Sequence, residues 1–168
     1  MPRIRSLLPI VVLLGFGCGD DDGLDTVARP GNPDVVNVDD ENELMNAAIA
    51  KAQSTVDEFI AALNAPKSNQ TGFSVKYPLT VDGGAEHIWV SDVRYENETF
   101  VGVLGNVPVN ATAVKLGDEV TIPKGDVSDW MYLEEGRLVG GYTIRALREI
   151  MPAEQRAEFD KNAPFVID

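Results

Sequence analysis

The sequence predicts a single α+β domain: one long N-terminal helix packed on a curved antiparallel sheet of five to six strands, followed by short C-terminal helices. Three observations predict it. A helical apolar period runs from Met45 to Leu63, strict alternation follows from Phe73 to Val81, and five further apolar stretches up to Tyr142 are separated by Gly, Asn and Asp turns.

The chain begins with an address. Arg3 and Arg5 precede an apolar run from Leu7 to Phe16 that is too short to span a bilayer, and Gly17-Cys18 follows. Residues 1–17 therefore read as a signal peptide and Cys18 as the acylated, palmitate-bearing first residue of a bacterial lipoprotein. Gly15-Phe16-Gly17 also fits ordinary small-x-small cleavage. The cysteine count favours acylation, because Cys18 is the only Cys and a lone exposed thiol on an exported protein would be a liability. Gly19 in place of an acid after Cys18 favours delivery to the outer membrane over retention elsewhere on the periplasmic face of the envelope. Cleavage leaves about 150 residues, enough for one domain with a core.

Residues 18–42 follow as a lipidated, acidic tether. Between residues 19 and 43 nine acids face Arg29 alone, with Pro30, Gly31 and Pro33 and no hydrophobic period, so this stretch predicts disorder. Asp20-Asp21-Asp22 reads as a solvated spacer, since consecutive carboxylates cannot all face one cation without a shaped loop. The whole chain carries a net charge of −13, which excludes nucleic acid as a partner class.

The domain proper spans 43–160, with 161–168 as a tail. Met45, Ile49, Ala52, Val56, Phe59 and Leu63 recur at alternating steps of four and three, with Ala48 and Ile60 widening the stripe. Asp40 and Glu43 imitate a capping box, and Asn64-Ala65-Pro66 stops the run. Phe73–Val81 turns through Asp82-Gly83-Gly84 into Ala85–Val93. Pro78 removes a ladder donor, so its strand is expected at an edge or bulged there. Thr99–Leu104, Glu119–Ile122, Val127–Leu133 and Arg137–Tyr142 complete the strands; Arg145–Ile150 and a segment opened by Pro152 read as helices.

Met45-Asn46-Ala47-Ala48-Ile49-Ala50-Lys51-Ala52, Phe73-Ser74-Val75-Lys76, Glu86-His87-Ile88-Trp89-Val90, Gly117-Asp118, Ser128-Asp129-Trp130-Met131-Tyr132 and Gly140-Gly141-Tyr142-Thr143-Ile144-Arg145 occur in this order. Together they resemble the YegJ-like bacterial family, a domain of unknown function, over roughly Glu43 to Phe159. The resemblance implies no activity, cofactor or catalytic residue.

Chemistry must therefore be weighed residue by residue. His87, the only histidine, could serve as general acid or base oriented by Asp129; the bland reading is a hydrogen-bonded histidine in a central strand. Ser91 and Ser128 sit in no nucleophile elbow. Alternation places Asp129 beside Met131 and Leu133, so a buried carboxylate needs a partner, with Arg145, Arg148 and the donors of the Gly140-Gly141 turn as candidates. Trp89, Trp130, Tyr132 and Tyr142 could line an aromatic cleft with His87 and Asp129 at its floor, Arg145 beside it, for a small ligand or extended peptide. No zinc spacing, calcium loop or phosphate-binding fingerprint occurs, so no metal and no cofactor is expected. The reading is a non-enzymatic binding or structural module on the envelope, held to the membrane through Cys18 and meeting an unidentified protein or small molecule. The alternatives are a hydrolase using His87 and Asp129, and an immunity-type or inhibitory protein whose acidity would mask a basic target.

Overall fold

The computed structural model describes residues 25–29, 32–37, 43–81, 84–108 and 114–168, the first two stretches by backbone alone. The expected signal peptide, Cys18, the Asp20-Asp21-Asp22 run, the Asp40 cap and the turn at Asp82-Gly83 lie outside the described residues. Within the stretch read as a tether, β1 (Asp25–Arg29) and β2 (Asn32–Asn37) pair antiparallel as a separate two-stranded sheet, where composition predicted no regular structure.

The long N-terminal helix is two helices, α1 (Glu43–Ser54) and α2 (Val56–Asn64), broken at Thr55. The break has two identifiable causes. The Thr55 hydroxyl donates back to the Lys51 carbonyl at 2.8 Å, a bond that competes with the helical ladder. From the sheet, the Trp130 indole N–H donates to the Ala52 carbonyl at 3.0 Å, inserting a side chain at the acceptor of the next turn. The apolar stripe survives the break: Ala52, Val56 and Phe59 are buried, and Ile60 and Leu63 pack against the same core.

Six strands form an open antiparallel sheet: β3 (Gln70–Val81), β4 (Gly84–Glu96), β5 (Thr99–Leu104), β6 (Glu119–Pro123), β7 (Asp129–Glu134) and β8 (Arg137–Gly140). Their order is β6-β5-β4-β3-β7-β8, so β3 to β6 meander and β7 crosses back to the far side of β3. β3 is therefore central, yet its pairing with β7 ends at Lys76↔Asp129. The Lys76 carbonyl accepts from the Ser128 N–H on that side. By alternation the nitrogen of Pro78 faces the same side, where β7 has ended, so the missing donor falls on a local edge.

Helices and sheet enclose two cores on opposite faces. Phe59, Val75, Ile88, Val90, Phe100, Ile122 and Trp130 fill the first, under α1 and α2. Met131, Leu133, Leu138, Ile144, Met151, Phe159 and Phe165 fill the second, with α3 (Tyr142–Ile150) and α4 (Ala153–Asn162). The alternation Trp130/Met131 on β7 divides them. The last strand ends at Gly140 and the helix starts at Tyr142, earlier than the expected Arg145, because Asp129 caps it from across the sheet. Among the described residues no helix is long and apolar enough to cross a membrane.

Candidate functional site

Asp129 is fully buried, and the chain spends four donors on it. Oδ1 accepts from the Trp130 N–H at 2.8 Å and the Tyr142 N–H at 3.1 Å. Oδ2 accepts from the Thr143 N–H at 2.8 Å and its hydroxyl at 2.6 Å. Tyr142 and Thr143 open α3, so the carboxylate meets the positive end of that helix as a cap borrowed from β7. The expected guanidinium partners are elsewhere, and the expected turn donors lie one and two residues beyond Gly141.

The turn makes this possible. Gly140 and Gly141 both adopt left-handed backbone, with φ of 73° and 61°. A Cβ on Gly140 would lie 2.3 Å from the Trp130 carbonyl oxygen, and one on Gly141 would lie 2.7 Å from a Leu138 methyl.

Lys76 shares the Asp129 face. Its Nζ donates to the Thr143 hydroxyl at 3.2 Å, which in turn donates to Asp129, and sits 5.7 Å from the centre of the Trp89 ring. Burial holds the Lys76 ammonium below its ordinary value, opposed by the Asp129 charge. Burial likewise pushes the Asp129 carboxyl up, opposed first by the Thr143 hydroxyl, then by Lys76 and the N–H groups of Thr143 and Trp130. The two charges tie β3 to β7 and α3 through one threonine.

His87 stands at the border of this cluster and is exposed. Its Nδ1 lies 2.9 Å from the Ser128 Oγ, which also donates to the Lys76 carbonyl at 3.2 Å. Ser128 is buried, and both Asp129 oxygens are committed to other donors. A serine touches the histidine, but the carboxylate that would orient the imidazole is aimed at α3. Sequence reading missed Ser128, Lys76 and Thr143 as members of this cluster. Lys76 lies 67 residues from Thr143, His87 41 from Ser128 and Thr143 14 from Asp129, distances at which the sequence carries no local signal.

The aromatic cleft does not assemble. Trp130, Tyr132 and Tyr142 lie with the first core, Trp130 edge-on to Tyr142 at 5.6 Å and stacked with Tyr132 at 6.3 Å. Trp89 packs on the second core, beyond the sheet. Period-two alternation sends Trp89 and Trp130 to opposite faces, because Val75 pairs with Trp130 while its neighbour Lys76 pairs with Trp89. Arg145 is turned to the main chain instead: it donates to the carbonyls of Leu138, Gly140 and Asp168.

What the second core leaves open is the sheet face over β4 to β6. Trp89, Ser91, Val101 and Val103 are half-buried there, with Ala85, His87, Arg94 and Thr121 exposed around them. Among the described residues no group of three or more His, Cys, Asp or Glu could hold a metal ion.

The family described as "Uncharacterized protein conserved in bacteria (DUF2314)" matches residues 42–166. Over 118 residues the chain is 41% identical to "Uncharacterized protein YegJ" of Escherichia coli (strain K12), covering 70% of this chain and 76% of that protein. Over 90 residues it is 40% identical to a putative ankyrin repeat protein of Neisseria meningitidis serogroup B, covering 51% of this chain and 36% of that protein. No solved structure matches the chain. The match runs from α1 through the second core, taking in Lys76, His87, Asp129 and Thr143, and the chain belongs to this bacterial DUF2314 family.

Proposed function

We propose that this protein is a lipid-anchored envelope module that binds or scaffolds through its open sheet face and carries out no catalysis. The observation that carries the reading is the use made of the polar groups. Asp129 and Ser128, the residues that would complete a hydrolytic site around His87, are buried and committed to joining strands and capping α3. The face beside them keeps Val101 and Val103 half-buried with Trp89, an apolar strip on an acidic chain. Register shifts between Thr71 and Ser74 and between Ser91 and Arg94 support a strongly curved sheet, which would make that face concave or saddle-shaped. The anchor rests on Arg3, Arg5, the apolar run and Cys18, and the acidic stretch after it supports a stand-off from the membrane.

Two measurements test the proposal. Cys18→Ser should move the protein from the membrane to the soluble fraction; unchanged fractionation removes the anchor. A photo-crosslinking residue at Val101 or Val103 should give a discrete adduct in cells, and one at the exposed Lys51 on α1 should not. Turnover of any ester or amide that is lost in a folded His87→Gln variant would replace the binding reading with the hydrolytic one.

A further inference from the structure

The edge of β8 is covered by a short segment from the end of the chain. Val166 bridges Arg137 in parallel: its N–H donates to the Gly136 carbonyl and its carbonyl accepts from the Leu138 N–H, each at 2.9 Å. Phe165 is buried in the second core and Ile167 is packed against it, while Val166 faces solvent, the alternation of a bound strand. The segment supplies no further main-chain bonds to this edge among the described residues. Instead, the Arg145 guanidinium takes the next two positions, donating to the Leu138 carbonyl at 2.7 Å and the Gly140 carbonyl at 3.0 Å. The same guanidinium donates to the Asp168 carbonyl at 2.9 Å, and Arg137 pairs with the Asp168 carboxylate.

We propose that the groove between β8 and α3 is a strand-addition site for an extended peptide segment, occupied in this structure by the chain's own Phe165–Asp168. Its parts match that mode of recognition: an edge that gives main-chain bonds, a pocket for an alternate side chain, and arginines that read an acid. The partner it fits is a segment of another polypeptide with an aromatic residue, an apolar residue two positions on and an acid directly after, the pattern of Phe165, Ile167 and Asp168. Arg145 completes the groove whichever strand lies in it, because its own helix holds it against Leu138 and Gly140. The built-in segment competes with a partner at the high effective concentration of a short tether, so the site is gated. This inference does not rest on the open β4 to β6 face, which lies on other strands.

The test uses the intact chain and a fluorescein-labelled peptide Ala-Pro-Phe-Val-Ile-Asp, followed by anisotropy. Phe165→Ala should loosen the built-in segment and raise peptide affinity at least tenfold over the unsubstituted chain. Adding Arg145→Gln should remove that gain, and a peptide with Phe replaced by Ala should not bind. A folded Phe165→Ala chain that ignores the peptide overturns the proposal. Should that variant unfold, hydrogen exchange on the unsubstituted chain decides: the Leu138 and Val166 amides should exchange at least tenfold faster than the Val75 and Val90 amides. Exchange of all four at one rate means that the segment opens only with the whole domain, and overturns the gate. A concentration-dependent dimer that the peptide dissolves would overturn the foreign occupant in favour of exchange between copies.

Discussion

Asp129→Asn replaces one oxygen of a buried side chain that accepts from four donors. The magnitude follows from its four donors. An asparagine keeps one acceptor, best placed toward the N–H groups of Trp130 and Tyr142, and turns its NH2 toward Thr143. The Thr143 hydroxyl can rotate to accept, but the Thr143 backbone N–H, now 2.8 Å from an acceptor, would face another donor. One orphaned buried N–H costs about 1–3 kcal/mol, and reducing the two retained bonds from charged to neutral acceptors costs roughly 1 kcal/mol each. Burial disfavours the carboxylate charge that is removed, which offsets part of this cost. The expected net loss is about 2–4 kcal/mol, or roughly 10–15 °C in melting temperature for a domain of this size. Urea unfolding followed by tryptophan fluorescence measures it, with the slope m unchanged if the effect is on the native state. Thr143→Val should cost less, and the double variant should fall short of the sum, because both substitutions break the same bonds. A loss below about 1 kcal/mol for Asp129→Asn would refute the view that this carboxylate joins β7 to α3.

Other perturbations test separate parts of the fold. Phe59→Ala should destabilise by about 3–5 kcal/mol, because the ring is fully buried against Phe73, Phe100 and Trp130; a chemical melt checks it. Gly140→Ala should cost more than Gly136→Ala in the same melt, since a Cβ at Gly140 meets the Trp130 backbone whereas at Gly136 it meets nothing within 4 Å. Arg148 holds the Asp160 carboxyl below the ordinary carboxylate range, joining α3 to α4. A depressed carboxyl stabilises the fold above its unfolded value of 3.8, and that contribution is lost as pH falls through the folded value. Asp160→Asn should therefore lower stability at neutral pH and converge with the unsubstituted protein in strong acid, with both side chains partly exposed and the effect correspondingly small. Deleting residues 19–38 should leave the melting temperature nearly unchanged; a large drop would show that β1 and β2 contribute to the domain.

The α+β class, the antiparallel strands and the helix stripe were legible because each is written as a local period. Ala52, Val56 and Phe59 are buried in the core and Leu63 packs against it although the helix breaks among them, while Met45 and Ile49 at the start of the stripe are half-buried. The break itself was not legible. It depends on the Trp130 indole reaching the Ala52 carbonyl from 78 residues away. The candidate site divides in the same way. Composition marked His87 as the only imidazole, and alternation marked Asp129 as a carboxylate among apolar residues that needs partners. Neither could say which partners, or that His87 lies beside Ser128.

By itself, then, the chain's local order determined the main strands and helices of the domain, which face of each is apolar, and that Asp129 is buried; β1, β2, the break at Thr55 and the start of α3 it did not show. Tertiary structure alone decided that β7 returns to the far side of β3. That one crossover puts Asp129 beside Lys76, aims it at the start of α3 three residues earlier than any sequence signal for the helix, and sets Trp89 and Trp130 on opposite sides of one sheet. The physical reason is that local periods record only burial on a face, whereas hydrogen-bond partners are chosen by strand order and register, which relate residues far apart in the chain.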